Sequence, residues 1–153
     1  MNQLPTGYAT LIKQASALLS GQTHRIANAA NLSALIFSEI PNLNWAGFYF
    51  SEGGVLVLGP FQGRPACVTI PWGRGVCGTA AATAQTQRVA DVHAFEGHIA
   101  CDTASRSEIV VPLELDGQII GVLDIDSPLF NRFNEEDQAG IEQLARIYVE
   151  SLA

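Results

Sequence analysis

Basic charge is scarce in this sequence. Its 153 residues carry eight Lys and Arg against fifteen Asp and Glu, a formal charge of −7, and Lys13 is the only lysine. Nucleic acid is held by clustered cations that displace counterions, so no nucleic-acid partner is expected. Long apolar runs are missing as well. Stretches such as 110–113 and 119–123 are interrupted by polar residues or glycine, far short of the about 20 residues that cross a bilayer. The start Met1-Asn2-Gln3-Leu4-Pro5 has no basic stretch of the kind that opens a signal peptide, which leaves the cytoplasm as the expected location and no membrane as a partner.

Cysteine is sparse too. Cys67, Cys77 and Cys101 cannot all pair within one chain, and a cytoplasmic chain of this length needs no structural bridge, so they read first as thiols. No C-x-x-C is present, and His24, His93 and His98 are scattered, so no metal is expected. There is no internal repeat and no linker. With 48% hydrophobic and 15% charged residues, the composition is that of one domain over residues 1–153.

Apolar residues at helical spacing predict a first helix over 8–19, with Gly21 as its stop. A second is predicted over 25–40, its apolar side formed by Ile26, Ala29, Ala30, Leu32, Leu35, Ile36 and Ile40, and Pro41 closing it. Segments 45–50 and 55–61 are aromatic and β-branched around Ser51-Glu52-Gly53-Gly54 and predict a hairpin. Short strands follow over 66–70 and 88–90, with a small-residue helix over 75–84 between them. Residues 91–107 show no period and form a loop long enough to suspect function, and Cys101 lies in it. Two strands surround Asp116-Gly117 over 107–126. A closing helix over 134–152 has Asn134 as its cap and Glu135, Glu136 and Asp137 against its dipole. Helices at both ends of an antiparallel sheet make the fold α+β.

The register of the last hairpin bears on chemistry. A two-residue Asp116-Gly117 turn would mix polar and apolar side chains on both faces. An odd loop, with Gly117 left-handed, instead gathers Ile109, Val111, Leu113, Leu115, Ile119, Gly121, Leu123 and Ile125 on one face. The other face then holds Glu108, Val110, Pro112, Glu114, Ile120, Val122, Asp124 and Asp126, so three carboxylates converge beside the Cys101 loop. Carboxylates so close need a cation or a retained proton, and either suits a ligand site. A Cys–His amidase fits poorly, because an acid cluster is a bad place to build an oxyanion. His93 and His98 therefore read as loop-ordering residues. Gly73, Gly75 and Gly78 form no nucleotide fingerprint and read as glycines that turn the backbone tightly under a ligand.

The run Gly97-His98-Ile99-Ala100-Cys101-Asp102, continuing through Ser105-Arg106-Ser107-Glu108-Ile109-Val110-Val111-Pro112, closely resembles the free methionine-R-sulfoxide reductases. So do Asn44-Trp45-Ala46-Gly47-Phe48-Tyr49, Gly59-Pro60-Phe61-Gln62-Gly63, Gly75-Val76-Cys77-Gly78 and Gly121-Val122-Leu123-Asp124-Ile125-Asp126. The resemblance covers nearly the whole chain beyond the first helix. It implies a GAF-like fold, a central antiparallel sheet with the N- and C-terminal helices packed on one face. It also implies Cys101 as nucleophile, Cys67 as resolving thiol and Cys77 as a further redox thiol, with Trp45, Tyr49, Glu108, Asp124 and Asp126 lining the substrate pocket. Free methionine-R-sulfoxide would be the substrate and a thioredoxin-like dithiol the reductant, with no cofactor; a homodimer is compatible with this reading.

The chemistry agrees with those positions. A thiolate that attacks sulfoxide sulfur needs an acid to protonate the oxygen, and Glu108 or Asp126, held protonated by its neighbours, can supply it. The remaining negative charge can meet the amino acid's ammonium, and Trp45 or Tyr49 can pack on its methylthio end. The alternative is a GAF sensor that binds a small molecule without chemistry. A sensor is expected beside an output domain and has no use for a reactive thiol among acids.

Overall fold

The computed structural model describes residues 4–99, 101 and 103–152. Ala100 and Asp102 of the Cys101 run, and Met1, Asn2 and Gln3, lie outside the described residues. The elements run α1 (Leu4–Leu19), α2 (Arg25–Glu39), β1 (Trp45–Glu52), β2 (Val55–Gly63), β3 (Thr69–Pro71), α3 (Gly75–Thr83), β4 (Gln87–Val89), β5 (Ser107–Leu115), β6 (Gln118–Ser127) and α4 (Glu135–Ser151). The strands form one antiparallel sheet in the order β3-β2-β1-β6-β5-β4. No helix among the described residues is long and apolar enough to cross a membrane.

Period-two alternation divides the sheet into two faces. Ala46, Phe48, Phe50, Ile109, Val111, Leu113, Leu123 and Ile125 pack beneath α1, α2 and α4, meeting Leu11, Ala29, Leu32, Ile36, Ile141, Leu144 and Tyr148. Trp45, Tyr49, Val110 and Val122 point the other way and pack with Cys77, Ala80 and Ala81 of α3. The GAF-like α+β arrangement with both terminal helices on one face is therefore present. Helix α2 turns differently than expected. Ile26 and Ala30 are exposed, and Asn28 and Ser33 are buried in their place. Asn28 Nδ2 donates to Gln22 O (2.8 Å) and to Ser151 Oγ (3.0 Å), while Ser33 Oγ donates to Pro60 O (3.3 Å), which satisfies both polar groups.

The β5–β6 hairpin reaches the expected faces by a different route. The turn is the two-residue one: Leu115 pairs with Gln118, and Asp116 (φ 52°) and Gly117 (φ 78°) both take the positive φ of the mirror-image hairpin turn. Parity is restored two residues later. Glu114 opposes Ile119 but Leu113 opposes Gly121, so Ile120 is an extra residue in a β-bulge. Beyond the bulge Glu108 faces Asp126 and Val110 faces Asp124, so the acids share a face as expected. The odd loop is corrected to an even turn plus a bulge, and Ile119 and Ile120 exchange sides: Ile119 packs with the Trp45 cluster and Ile120 with the helix-side core.

Strand β3 starts at Thr69 rather than Ala66. Val68 O still accepts from Leu58 N (2.9 Å), but Tyr49 OH draws Cys67 O off the ladder line (2.8 Å). At the other end of the chain, the cap of α4 does more than complement a dipole. Asn134 and Asp137 form a reciprocal capping box, and the fully buried Asp137 carboxylate also accepts from Tyr8 OH (2.8 Å) and Arg132 Nη1 (3.3 Å). This ties α1 to α4. Asp137→Ala leaves Tyr8 OH and Asn134 N without their acceptor and the half-buried Arg132 guanidinium with only Pro41 O, and should cost about 3 kcal/mol in urea unfolding. Tyr8→Phe should cost less, about 1.5–3 kcal/mol, since one bond to a charged group is lost.

Candidate active site

Three neighbouring strands place the acids and aromatics together. Trp45 of β1 lies opposite Asp126 of β6, Gly47 opposite Asp124 and Tyr49 opposite Val122, while β5 adds Glu108 opposite Asp126. Gly47 is needed here because a Cβ would collide with Phe61. That close approach lets the Phe61 ring stack on Trp45 at 5.1 Å. Helix α3 covers part of this face. The described residues of the 91–107 segment close over the rest, pinned by Arg106 N to Ser127 O (2.8 Å) and Val92 N to Arg106 O (2.9 Å).

Between sheet and roof lies a cavity of about 40 Å3. Trp45, Tyr49, Cys77, Cys101, Glu108, Asp124 and Asp126 all line it, so seven of the eight residues singled out in the sequence come to one wall. Cys67 is not on that wall. It is bonded to Cys101 in a disulfide with Cα atoms 5.4 Å apart, across a separation of 34 residues. Trp45 and Tyr49 use their polar tips on the segment that carries Cys67: Trp45 Nε1 donates to Arg64 O (3.0 Å) and Tyr49 OH to Cys67 O (2.8 Å). Their ring bodies face the cavity. Sequence reasoning missed Arg74, Ile99 and Ser105, which also line it, and placed His98 only as a loop residue. His93 does order the loop, its N and Nδ1 both 3.0 Å from Asp91 Oδ1, but His98 stands on the cavity wall. Gly73 (φ 85°) and Gly75 (φ 63°) take left-handed backbone at the entry to α3, and Gly75 lines the cavity beneath Ile99.

Two of the three acids are out of water. Glu108 and Asp124 are 8% and 5% exposed, and Asp126 is half-buried. Burial first, and then the neighbouring carboxylates, push the pKa values of Glu108, Asp124 and Asp126 well above the usual carboxylate range. Oδ1 of Asp124 and Oδ1 of Asp126 find no donor among the described residues, as expected when carboxylates face one another without a proton between them. A shared proton removes both problems. Ser105 Oγ donates to Asp126 Oδ2 (3.2 Å) while accepting from Asn44 Nδ2 (3.0 Å), a bond that favours the charged form of Asp126 but is outweighed by burial and the Glu108 carboxyl. Cys77 Sγ sits 3.9 Å from Glu108 Oε2, and burial together with the acids pushes its thiol pKa up. Its position therefore makes it a poor nucleophile.

The GAF-domain family profile matches residues 27–152. A protein of Escherichia coli (strain K12) described as free methionine-R-sulfoxide reductase is 59% identical over 137 residues, covering 90% of this chain and 83% of that one. The structure of an fRMsr of Staphylococcus aureus in complex with substrate superposes with a TM-score of 0.92 at 52% identity, over 95% of both chains. The X-ray structure of a free methionine-R-sulfoxide reductase from Neisseria meningitidis in complex with its substrate gives 0.94 at 42% identity, over 99% of this chain and 91% of that one.

The cluster also sets a pH dependence. A carboxyl whose folded pKa is raised takes up a proton on folding, so its contribution to stability is present at low pH and is lost as pH rises from about 4 through the folded value. Asp124→Asn removes one such group. Urea unfolding across about pH 5 to pH 8 should show the variant losing less stability than wild type, by up to about 1.4 kcal/mol per pH unit for each proton no longer taken up. Parallel curves would show that the acids carry no extra proton.

Proposed function

The chain belongs to the GAF-domain family and, within it, to the free methionine-R-sulfoxide reductases, and from that premise we propose how its own residues reduce free methionine-R-sulfoxide as a single cytoplasmic domain. One observation carries the reading: Cys101 lines the same small cavity as Glu108, Asp124 and Asp126 while bonded to Cys67. Before turnover the two sulfurs are thiols. The Cys101 thiolate attacks the sulfoxide sulfur, and Glu108 or Asp126 delivers the proton that the oxygen needs as the sulfur–oxygen bond breaks. The hydroxyl passes to the Cys101 sulfur as its new bond to the substrate sulfur breaks, leaving Cys101 as a sulfenic acid and methionine two electrons richer. Cys67 then condenses with the sulfenic acid, forming the disulfide and releasing water, and an external thioredoxin-like dithiol restores both thiols.

Selectivity for the free amino acid follows from charge. The cluster's remaining negative charge meets the substrate ammonium in a site with little water, and peptide-bound methionine has no such ammonium. Trp45 and Tyr49 offer ring faces to the methylthio end. Asp126 pairs directly with Glu108 across the strands and lies two positions from Asp124 on β6, so it borders both other acids. A sensor reading leaves the Cys67–Cys101 bridge without a use.

Free L-methionine-R-sulfoxide should be consumed with a dithiol, with the S epimer and a blocked peptide turned over very poorly; comparable rates on all three would overturn the substrate assignment. Glu108→Gln and Asp126→Asn should each lose at least about tenfold in kcat/KM. Rapid-quench measurement should find no methionine from Cys101→Ser, about one methionine per enzyme from Cys67→Ser without multiple turnovers, and near-normal turnover from Cys77→Ser. A full burst from Cys101→Ser would remove it as nucleophile.

A further inference from the structure

The roles above leave Cys77 unused, yet it is the free cysteine among the described residues and is 5% exposed. A structural thiol is normally surrounded by hydrocarbon. Cys77 has such neighbours in α3 and the sheet, but it also faces two buried carboxyls: its Sγ and one carboxylate oxygen each from Glu108 and Asp124 all lie within 4.8 Å of one another. We infer that Cys77, Glu108 and Asp124 form a binding site for one thiophilic divalent cation, Zn2+ or Cd2+, at the inner end of the cavity.

Two features favour a metal there over a proton alone. Asp124 is 5% exposed, lines the cavity, and keeps Oδ1 without a donor among the described residues, so one oxygen lone pair is already available to a cation. The donor set also mixes a thiol with hard oxygens. An ammonium gains little from sulfur, whereas zinc and cadmium prefer it, and Mg2+ or Ca2+ would reject it. The scale is right too. Zinc–sulfur and zinc–oxygen bonds of about 2.3 and 2.1 Å at a tetrahedral angle separate the ligand atoms by about 3.6 Å. The observed Cys77 Sγ to Glu108 Oε2 distance of 3.9 Å needs only a small contraction. The metal displaces the thiol and carboxyl protons, and its two positive charges offset the crowding of the acids. A fourth position opens on the cavity, where Cys101 also lies. An occupied site fills the acid end of the pocket, so the cation acts as an inhibitor and not as a cofactor.

The test avoids activity and so stands apart from the reductase mechanism. In protein oxidised to the Cys67–Cys101 disulfide, Cys77 is the one remaining thiol of the chain's three cysteines. Titration with Cd2+ against a competing chelator should produce a thiolate-to-cadmium charge-transfer band that saturates at one equivalent, and excess Mg2+ should not reduce it. Cys77→Ser should abolish the band and weaken binding at least about tenfold, with Cys77→Ala as the second variant if the serine does not fold. Asp124→Asn should keep the band but weaken binding at least about tenfold, the low end for altering a metal site. Glu114→Gln, an exposed acid further along β5, should change nothing. Absence of the band in wild type, unchanged affinity in Cys77→Ser, or unchanged affinity in Asp124→Asn would each overturn the site.

Discussion

One inserted residue decides what the β5–β6 hairpin can do. Without the bulge at Ile120, the even Asp116-Gly117 turn would put Glu108 and Val110 on the face opposite Asp124 and Asp126. Either Glu108 or the pair Asp124 and Asp126 would then be driven into the core on the helix-covered face. With it, the acids stand on the face that α3 and the 91–107 segment roof over. Everything specific to the cavity depends on that parity, since β1 adds Trp45 and Tyr49 through its pairing with β6.

Gathering the acids has an energetic cost, and the site is arranged around it. A buried carboxylate is strongly disfavoured unless it is paired, hydrogen-bonded or protonated. Here Ser105 supports Asp126, while Glu108, Asp124 and Cys77 are in no ion pair among the described residues, although Arg74 lines the same cavity. Retained protons then resolve the repulsion. A site poised in this way has a proton to give to a developing oxyanion and a charge that welcomes a cation. The proposed proton delivery, preference for an ammonium and affinity for a thiophilic metal would be three outcomes of the same unfavourable crowding.

The regular parts of this architecture were legible because apolar periodicity and caps are local signals. Asn134 is an N-cap as read, and the acids share a face as read. The reason given for the second was wrong in an instructive way. Ile119 and Ile120 are identical side chains, so exchanging their faces leaves the apolar pattern intact and the bulge leaves no trace in composition. The roof was the least legible part. Residues 91–107 have no period, so nothing local showed that His98, Ile99 and Ser105 would reach the cavity. The approach of Cys77 to Glu108 spans 31 positions and two different elements, far outside the short spacings by which metal ligands are recognised in a sequence.

The knot at Tyr8, Asp137 and Arg132 bears on where this folding unit begins. The GAF profile starts at residue 27, inside α2, and leaves α1 outside. Yet the Tyr8 ring lies so close to Gly140 that a Cβ there would overlap it, and Leu11 and Ala15 are as buried as the sheet residues beneath them. A profile records what many relatives share, and packing records what one chain needs. Cut at the profile's edge, the cavity face would stay whole on paper while α2 and α4 lost the helix that packs over them and α4 lost its Tyr8 anchor. Anyone grafting this domain into a fusion would have to carry α1 along with it.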